Sequence, residues 1–575
     1  MTRRTAIAPL TLLGVLAAIA GVYWPVHLGG FIWDDDLCFH EAGWLRSDAW
    51  IHYLFRDFCD WTTYFRPLSV LVLAAQVRWF DAAPGAMHLV SLALHLGNTA
   101  LVGALARRIA PAAPWHYAIF AALLYGLHPA LIEPVYWVGC QYEMLVTLFV
   151  LLGLYTNARM HGAWARALLV AGCFFLAACA KESAAVFPLL LVIFDYALSA
   201  SDNNPIRTLV QRQWRTYLCV LLAGLFYLSL RQWALGGLPY AGTEAMALTA
   251  RIEKIGMAYI SYWKLLVWPM AGLGPVHPLD STLLHIGGAE AIAATVFTLV
   301  TLLGALLALF LRRAIGALIL AVGVALLPVL HVIPIAFNES LYHERYAMTA
   351  LAVACALLPM TIAEAPRWRL ARTIGPVLGI AWLALAVIQI RTTLPLWMDE
   401  LKLWQWAARE YPDSLVVKQH LLAKYVERGD LPHAHALADS LMADKAPCPV
   451  CMLSIAYLAL GDGDAARAAA ALEHIKTGPK LPSDPLFLQE FVVATGGLLE
   501  LQHQPEAAES AYRDAMSMNP LNPQPSKNLA LLLAREGKSS EARAIADSAS
   551  SMLAADQREA WRRSFEQAAA AAPTP

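Results

Sequence analysis

The residues best suited to chemistry form a run of three carboxylates, Asp34, Asp35 and Asp36, just after the first apolar segment of the chain. Neighbouring carboxylates repel one another, which raises the proton affinity of such a group. A carboxylate that takes up a proton can serve as a general base and accelerate a reaction by about 10²–10⁴-fold. A solvated loop or a helix cap is the alternative interpretation of the run.

A second ionisable pair, Lys181 and Glu182, separates two strongly apolar stretches of the sequence. Ionisable residues inside or at the edge of a membrane are costly, and they often mark a functional site. Side chains that merely extend toward water at the membrane edge are the alternative. The secondary structure around the aspartate run and around the Lys181–Glu182 pair must therefore be predicted before a function is assigned to them.

Composition identifies the environment of the chain. Apolar residues make up 59% of the 575 residues and charged residues only 15%, and the mean hydropathy is +0.51. A soluble domain is closer to one-half apolar and one-quarter charged. The composition therefore predicts an integral membrane protein, and the formal net charge of -1 gives no reason to expect a nucleic-acid partner.

Residues 1–393 are predicted to form an all-α transmembrane domain, because apolar runs long enough to cross a bilayer core of about 30 Å recur along them. We predict eleven spans, near residues 6–23, 86–106, 115–130, 142–158, 166–180, 184–200, 216–232, 290–311, 314–335, 346–363 and 372–390. The loop 31–66 between the first two spans carries the aspartate run.

The run at 255–270 decides the predicted topology, because counting it as a span would invert everything after it. Arginines before this run fall on one side of the membrane, which identifies the inside. If the run does not cross, the arginines at 312–313 and 367–372 fall on the inside as well. We therefore treat it as interfacial or re-entrant, which predicts an inside N-terminus and an outside C-terminal domain.

Residues 394–560 are predicted to form a second domain, followed by a disordered Ala- and Pro-rich tail at 561–575. Four similar stretches begin at Gly429, Gly461, Gln502 and Gly537, with spacings of 32, 41 and 35 residues. These spacings lie near the 34-residue period of tetratricopeptide repeats. The expected fold is a tetratricopeptide α-solenoid, which recognises a protein or peptide on its concave face. A purely structural cap is the alternative.

Two cysteine pairs are candidates for disulfides. Cys448 and Cys451 form a CxxC motif, a weak zinc or redox signal by itself, and an outside location would favour a disulfide. Cys38 and Cys59 lie together in the first outer loop.

Six segments, in order along the chain, resemble motifs of the transmembrane and tetratricopeptide repeat-containing O-mannosyltransferases and their bacterial relatives. They are FIWDD from Phe31, YFRPLSVLVL from Tyr64, MHLVSLALH from Met87, LHPALIEPVYWVGCQYEML from Leu127, AKESAAVFPLLLVIFD from Ala180 and ERYAM from Glu344. The resemblance implies the membrane fold of the GT-C glycosyltransferases, which take sugars from lipid-phosphate carriers. Gln141, Glu143 and Met348 depart from the family's Arg, Asp and Tyr, so mannose should not be assumed.

The resemblance also implies a division of labour among the charged residues. Asp34 or Asp35 would take the acceptor proton, and Asp34 is preferred as the first acid of the family-like pair. Lys181 and Arg345, with Arg66 as a weaker third, would bind the donor phosphate where negative charge develops.

Five further residues are expected to bind substrate or to support those that do: Glu143, Glu182, His128, Glu133 and Tyr346. Glu143 and Glu182 would hold the acceptor, orient the cations or carry a divalent metal, and no other cofactor is expected. His128 precedes Pro129, so an ordinary helix-end histidine is the alternative for that position.

The expected function is inverting transfer of a sugar from a polyprenyl-phosphate donor, held in the membrane lipid, to a hydroxyl acceptor on the outer face. A protein Ser or Thr bound by the repeats is the preferred acceptor. A transporter or flippase of lipid-linked sugars and a non-catalytic scaffold are the alternatives. The composition suggests a bacterial inner membrane with the repeats in the periplasm, and an endoplasmic reticulum membrane is the other location considered.

Overall fold

The computed structural model describes residues 3–35, 38–39, 43–58, 64–160, 162–199, 204–237, 247–279, 287–332, 340–364, 369–443, 448–478, 484–553 and 555–570. The described residues are 83% helical and contain no β-strand. An isolated antiparallel bridge joins Pro278 and Ser340. The all-α prediction is confirmed.

The chain divides into two compact units. The first contains Met1–Phe31, Tyr53–Val72 and Pro84–Asp399. The second contains Ile32–His52, Leu73–Ala83 and Glu400–Pro575. The C-terminal segment of the second unit thus begins at Glu400, a few residues after position 394, where the second domain was predicted to begin. The second unit also contains the segment Ile32–His52, which carries Asp34 and Asp35. The composition of the sequence does not predict that this segment packs with the C-terminal helices.

The first unit is built from long apolar helices joined by short breaks. Its main helices are Arg3–Tyr23, Pro84–Ile109, Trp115–Gly126, Ile132–Tyr136, Gln141–Arg159, Ala163–Ala180, Phe187–Leu198, Pro205–Leu235, Leu248–Val267, Ala289–Phe310, Ala314–Leu326, Met348–Glu364 and Arg369–Trp397. Helix Pro67–Phe80 begins in this unit and ends in the second.

Eight helices of the described chain are long and apolar enough to cross a membrane: Leu10–Leu28, Pro84–Ile109, Val138–Arg159, Ala163–Ala180, Leu209–Leu235, Ala289–Phe310, Glu344–Glu364 and Ile374–Trp397. The helices Trp115–Gly126 and Pro129–Tyr136 meet at 52° and would add a ninth if they form one span. Two further predicted spans, near residues 184–200 and 314–335, correspond to the shorter helices Phe187–Leu198 and Ala314–Leu326. The count of eleven stays a prediction.

The outward faces of these helices are apolar, which is the reverse of a soluble helix. On Ala289–Phe310, for example, Val300 and Leu303 are about two-thirds exposed. Exposed apolar surface in water is unfavourable by about 25 cal/mol per Å². A lipid environment removes this penalty, so the long apolar helices are compatible with an integral membrane protein.

Inside the first unit, small residues and satisfied polar groups let the helices approach closely. A side chain at Gly153 would lie 2.8 Å from the ring of Phe187, so only glycine fits there. The Asn98 amide donates to the Met144 carbonyl at 3.1 Å, and the Thr147 and Thr349 hydroxyls lie 2.8 Å apart. Small residues and hydrogen bonds of this kind hold membrane helices together.

The second unit consists of shorter helices in sequential pairs. They are Gly43–Arg46, Glu400–Glu410, Leu415–Glu427, Leu431–Ala443, Pro449–Gly461, Ala465–Thr477, Pro485–Leu501, Pro505–Met518, Pro523–Arg535, Ser539–Met552 and Ala555–Ala570. Three of them begin with a side-chain cap and a proline in the first turn, after Cys448, Asp484 and Asn522. Both features are typical of helix N-termini, because a cap accepts from an otherwise unpaired N–H and proline lacks one.

Four turns between these helices share one backbone geometry. Gly429, Gly463, His503 and Gly537 all have positive φ, between 56° and 76°. In each turn the next residue donates its N–H five positions back, as from Asp430 to Tyr425 at 2.9 Å. This is the Schellman ending of a helix, which favours glycine because the left-handed region is strained for other residues. The geometry therefore recurs where the four repeats were predicted.

A disulfide joins Cys448 to Cys451 at the start of helix Pro449–Gly461. It belongs to a cluster of buried residues from five helices, among them Leu422, Leu441 and Ile455. The second predicted pairing cannot be compared in the same way, because Cys59 lies outside the described residues.

Candidate functional site

Lys181 and Glu182 occupy a break between two helices of the first unit. Helix Ala163–Ala180 ends as Lys181 takes an extended conformation, at φ -163° and ψ 150°. A short 3-10 turn, Glu182–Val186, then leads into helix Phe187–Leu198, which has a proline in its first turn. The break leaves Lys181 and Glu182 outside the two α-helices, as expected of an ionisable pair that separates two apolar stretches.

Lys181 forms an ion pair with Glu143, which lies in the first turn of helix Gln141–Arg159. The Ser183 hydroxyl donates to the other carboxylate oxygen of Glu143 at 3.3 Å. The Lys181 ammonium also lies 4.8 Å from the centre of the Tyr346 ring, within cation–π range. The pair is mostly buried, with side-chain exposures of 16% for Lys181 and 7% for Glu143.

Arg66 forms a second ion pair, with Glu182. Its Nη2 donates to Glu182 Oε2 at 2.9 Å and its Nε donates to the same oxygen at 3.2 Å. The guanidinium lies 3.9 Å from the ring centre of Tyr64 and 5.3 Å from that of Tyr142. The same Tyr142 ring lies 6.0 Å from Lys181, so it connects the first two pairs.

Arg345 forms a third ion pair, with the buried Glu133, from the short helix Ile132–Tyr136. The Arg345 backbone N–H also donates to Glu133 Oε2 at 2.8 Å. The guanidinium lies 4.9 Å from the ring centre of Trp137 and 4.6 Å from that of Tyr346. Tyr346 therefore lies beside both Arg345 and Lys181.

We call these three pairs the ion-pair cluster: Lys181–Glu143, Arg66–Glu182 and Arg345–Glu133. Burial by itself lowers the pKa of Lys181, but the Glu143 carboxylate outweighs it and the pKa is raised. Burial by itself raises the pKa of Glu182, but the Arg66 guanidinium outweighs it and the pKa is lowered. Both residues are therefore charged at neutral pH. Such a cluster places fixed positive groups in a site of restricted water, where they act strongly on an anion.

A small cleft lies beside the cluster. It is lined by Glu143, Ser183, Val186, Ala325, Pro328, Val329, Tyr346 and Thr349. Polar and apolar residues therefore line it in equal number.

His128 is fully buried and has the contacts of a helix-end histidine. Its Nδ1 accepts from the Ala130 N–H at 3.3 Å, and its Nε2 lies 3.1 Å from the Leu266 carbonyl. These are contacts to backbone groups, and none of them is to the ion-pair cluster. A supporting role for His128 in the site stays a prediction.

Asp34 and Asp35 belong to the second unit, and Asp36 lies outside the described residues. Asp34 is exposed and Asp35 is buried. The Asp35 N–H donates to the Ile32 carbonyl at 3.1 Å, and the Cys38 N–H donates to the Asp34 carbonyl at 2.7 Å. The segment is thus an ordered turn, which we call the acidic turn (residues 32–35). Its two acids differ sharply in exposure, a difference the sequence does not reveal.

Glu344 and His277 are two buried partners that the sequence reasoning missed. His277 Nε2 lies 3.1 Å from Glu344 Oε1, which also accepts from the Gly274 N–H at 2.9 Å. The Tyr342 ring stacks on His277 at 3.7 Å. Glu344 directly precedes Arg345 in the ERYAM segment, so its position close to the site could have been inferred from the sequence. No motif or spacing in the sequence indicates that His277 lies beside it.

No group of three or more His, Cys, Asp or Glu residues suited to a metal ion occurs in the part of the chain that the structure describes. Comparisons of the chain with family models, with curated proteins and with solved structures gave no match. The functional argument therefore depends on the residues and their geometry alone.

Proposed function

We propose that this chain is an integral membrane glycosyltransferase that moves a sugar from a polyprenyl-phosphate donor to a hydroxyl group, with the fold of the GT-C enzymes. The observation that carries the proposal is the ion-pair cluster beside its cleft. Lys181 and Arg345 are cations held in fixed positions by the buried carboxylates of Glu143 and Glu133, and Arg66 is held by the half-buried Glu182. A phosphate that leaves with an extra negative charge needs such preorganised cations.

In the proposed reaction, Asp34 or Asp35 accepts the proton of the acceptor hydroxyl. The hydroxyl oxygen forms a bond to the anomeric carbon of the sugar, and the bond from that carbon to the phosphate oxygen breaks. The electron pair of the broken bond leaves on the polyprenyl phosphate. One displacement inverts the anomeric configuration, and neither a metal nor an oxidant enters the balance.

Topology and recognition complete the proposal. Eleven spans with an inside N-terminus would bring the cluster to the outer face, in a bacterial inner membrane or an endoplasmic reticulum membrane. The four Schellman turns support a tetratricopeptide solenoid in the second unit. Solenoids of this kind bind peptides, which favours a protein Ser or Thr as acceptor.

The test is a sugar-transfer assay on the purified full-length protein in lipid nanodiscs. Polyprenyl-phosphate mannose and polyprenyl-phosphate glucose, each labelled in the sugar, serve as donors, and a library of Ser- and Thr-containing peptides supplies acceptors. We expect labelled peptide and free polyprenyl phosphate in equal amounts.

Two other outcomes would identify the competing functions. Movement of an intact labelled donor between leaflets, without cleavage, would indicate a transporter. Peptide binding with neither cleavage nor movement would indicate a scaffold. Arg159→Ala is the matched control, because Arg159 is an exposed arginine at the opposite end of the helix that carries Glu143.

A further inference from the structure

The acidic turn contains a backbone conformation that needs support. Trp33 has φ of 54°, in the left-handed region that residues other than glycine seldom adopt. Such a conformation is strained and persists only where surrounding contacts impose it. The residues that contact Trp33 therefore determine the shape of the turn that presents Asp34 and Asp35.

Two contacts to Trp33 come from the first helix of the C-terminal part, Glu400–Glu410. The Trp33 N–H donates to Glu400 Oε1 at 3.2 Å. The Trp33 ring lies edge-on to the Trp404 ring, with centres 5.9 Å apart. One carboxylate and one indole from successive turns of a single helix thus hold both the backbone and the side chain of Trp33.

Glu400 is itself fixed in place. Its other oxygen, Oε2, pairs with Lys424 Nζ at 2.8 Å. Trp404 Nε1 lies 3.5 Å from Oε1, and the Trp404 ring stacks on His420 with centres 4.0 Å apart. The Glu400 side chain is only 9% exposed. A buried carboxylate with two charged or polar partners has little freedom to move, so its position defines that of the Trp33 N–H.

We infer that Glu400 is a positioning residue for the proposed transfer reaction: it holds the acidic turn in the conformation in which Asp34 or Asp35 accepts the acceptor proton. The inference rests on the proposed function. It assigns to the helices after residue 399 a part in catalysis that is distinct from acceptor recognition.

The test compares Glu400→Ala with Glu400→Gln in the full-length protein. Glutamine keeps a carbonyl oxygen that can accept from the Trp33 N–H, whereas alanine removes the acceptor. Glu410→Ala is the matched control, because Glu410 is an exposed glutamate of the same helix. Each variant is measured for sugar transfer from polyprenyl-phosphate mannose and glucose, and for hydrogen–deuterium exchange of peptides that cover residues 31–39.

Glu400→Ala should lower kcat by about 10–100-fold, since displacing a reacting group by about 1 Å is enough for such a loss. The donor KM should change by less than about twofold, because the proposed donor contacts are elsewhere, and exchange at 31–39 should become faster. Glu400→Gln should recover most of the kcat and of the protection. A purely structural role would not produce this split between kcat and KM, nor the rescue by glutamine.

Two results would overturn the inference. One is a Glu400→Ala protein with wild-type kcat and unchanged exchange at 31–39. The other is a Glu400→Gln protein as impaired as Glu400→Ala, because the hydrogen-bond acceptor would then be irrelevant. A wild-type protein that transfers no sugar defeats the proposed function instead. The exchange measurement then still decides whether Glu400 holds the turn.

Discussion

Replacing Lys181 by methionine should damage the protein in two separable ways. The first is structural, because Lys181 and Glu143 are exposed by only 16% and 7%. Removing one partner of a buried ion pair leaves the other charge uncompensated, which lowers the free energy of unfolding by about 3–5 kcal/mol. The second is chemical, because the proposed donor phosphate loses a cation.

The chemical loss can be expressed as a rate. Removing a well-placed positive group lowers transition-state stabilisation by about 2–4 kcal/mol. Since 1.36 kcal/mol corresponds to about tenfold in rate, kcat/KM should fall by roughly 30–900-fold. Donor binding should also weaken, because the phosphate is already negative before the bond breaks.

A double variant distinguishes the two losses. In Lys181→Met combined with Glu143→Gln, neither charge remains, and both side chains keep nearly their original shape. The melting temperature should recover toward the wild-type value, because no uncompensated charge is left. The transfer rate should stay low, because the phosphate still lacks its cation. The Arg159→Ala control should alter neither quantity.

The assay measures thermal unfolding and sugar transfer on the same nanodisc preparations of the wild type, both single variants and the double variant. Binding of polyprenyl phosphate alone reports the contact to the phosphate without any reaction. If the double variant regains both stability and transfer rate, Lys181 acts only through the fold. The assignment of the ion-pair cluster to phosphate binding would then be refuted.

Three further predictions follow from other parts of the chain. Asp34→Asn or Asp35→Asn, whichever removes the proposed base, should abolish most turnover with little change in donor binding; near-normal turnover in both would exclude the acidic turn as the base. An alkaline phosphatase fused to the C-terminus should be active in bacteria and one fused after Arg215 inactive, because arginines mark the inside; inactivity of both fusions would indicate a twelfth span. Burial, helped by a nearby lysine, lowers the pKa of His420 to about 4. Because the unfolded histidine binds its proton near pH 6.5, stability should fall by up to about 1.4 kcal/mol per pH unit as the pH drops from 6.5 toward 4. His420→Phe should keep the stacking on Trp404 and remove this dependence in pH-dependent melting curves.

The sequence predicted the helices well because each apolar run is a local property of the chain. Most of the predicted spans coincide with helices that are long and apolar enough to cross a membrane. The break at Lys181 was visible for the same reason, since two charged residues interrupt two apolar stretches. The repeated turns were also visible, although the left-handed residues of the second and third turns are Gly463 and His503, just after the starts of the predicted stretches at Gly461 and Gln502.

The pairing of the charged residues could not be predicted from one sequence. Glu143 and Lys181 are 38 positions apart, and Glu133 and Arg345 are 212 positions apart. Which carboxylate meets which cation depends on how helices pack in three dimensions, and composition and periodicity carry no such information. The family resemblance named all six residues of the ion-pair cluster as site candidates but gave no partners, and their role in a reaction stays a prediction. Glu400 was missed entirely, because nothing in its local sequence connects it to the acidic turn.

The hydrogen bond from Trp33 to Glu400 joins residues 367 positions apart in the chain. A ribosome that adds about 5–20 residues per second needs roughly 20–70 s to make the intervening segment. The acidic turn is thus synthesised early and can reach its final shape only after helix Glu400–Glu410 has been made. A chain that ends between residues 345 and 400 would carry both aspartates and every cation of the cluster, yet would lack the helix that organises the turn. Catalytic competence would then require synthesis past this helix, so that such shorter chains already in the membrane could not consume the lipid-linked donor.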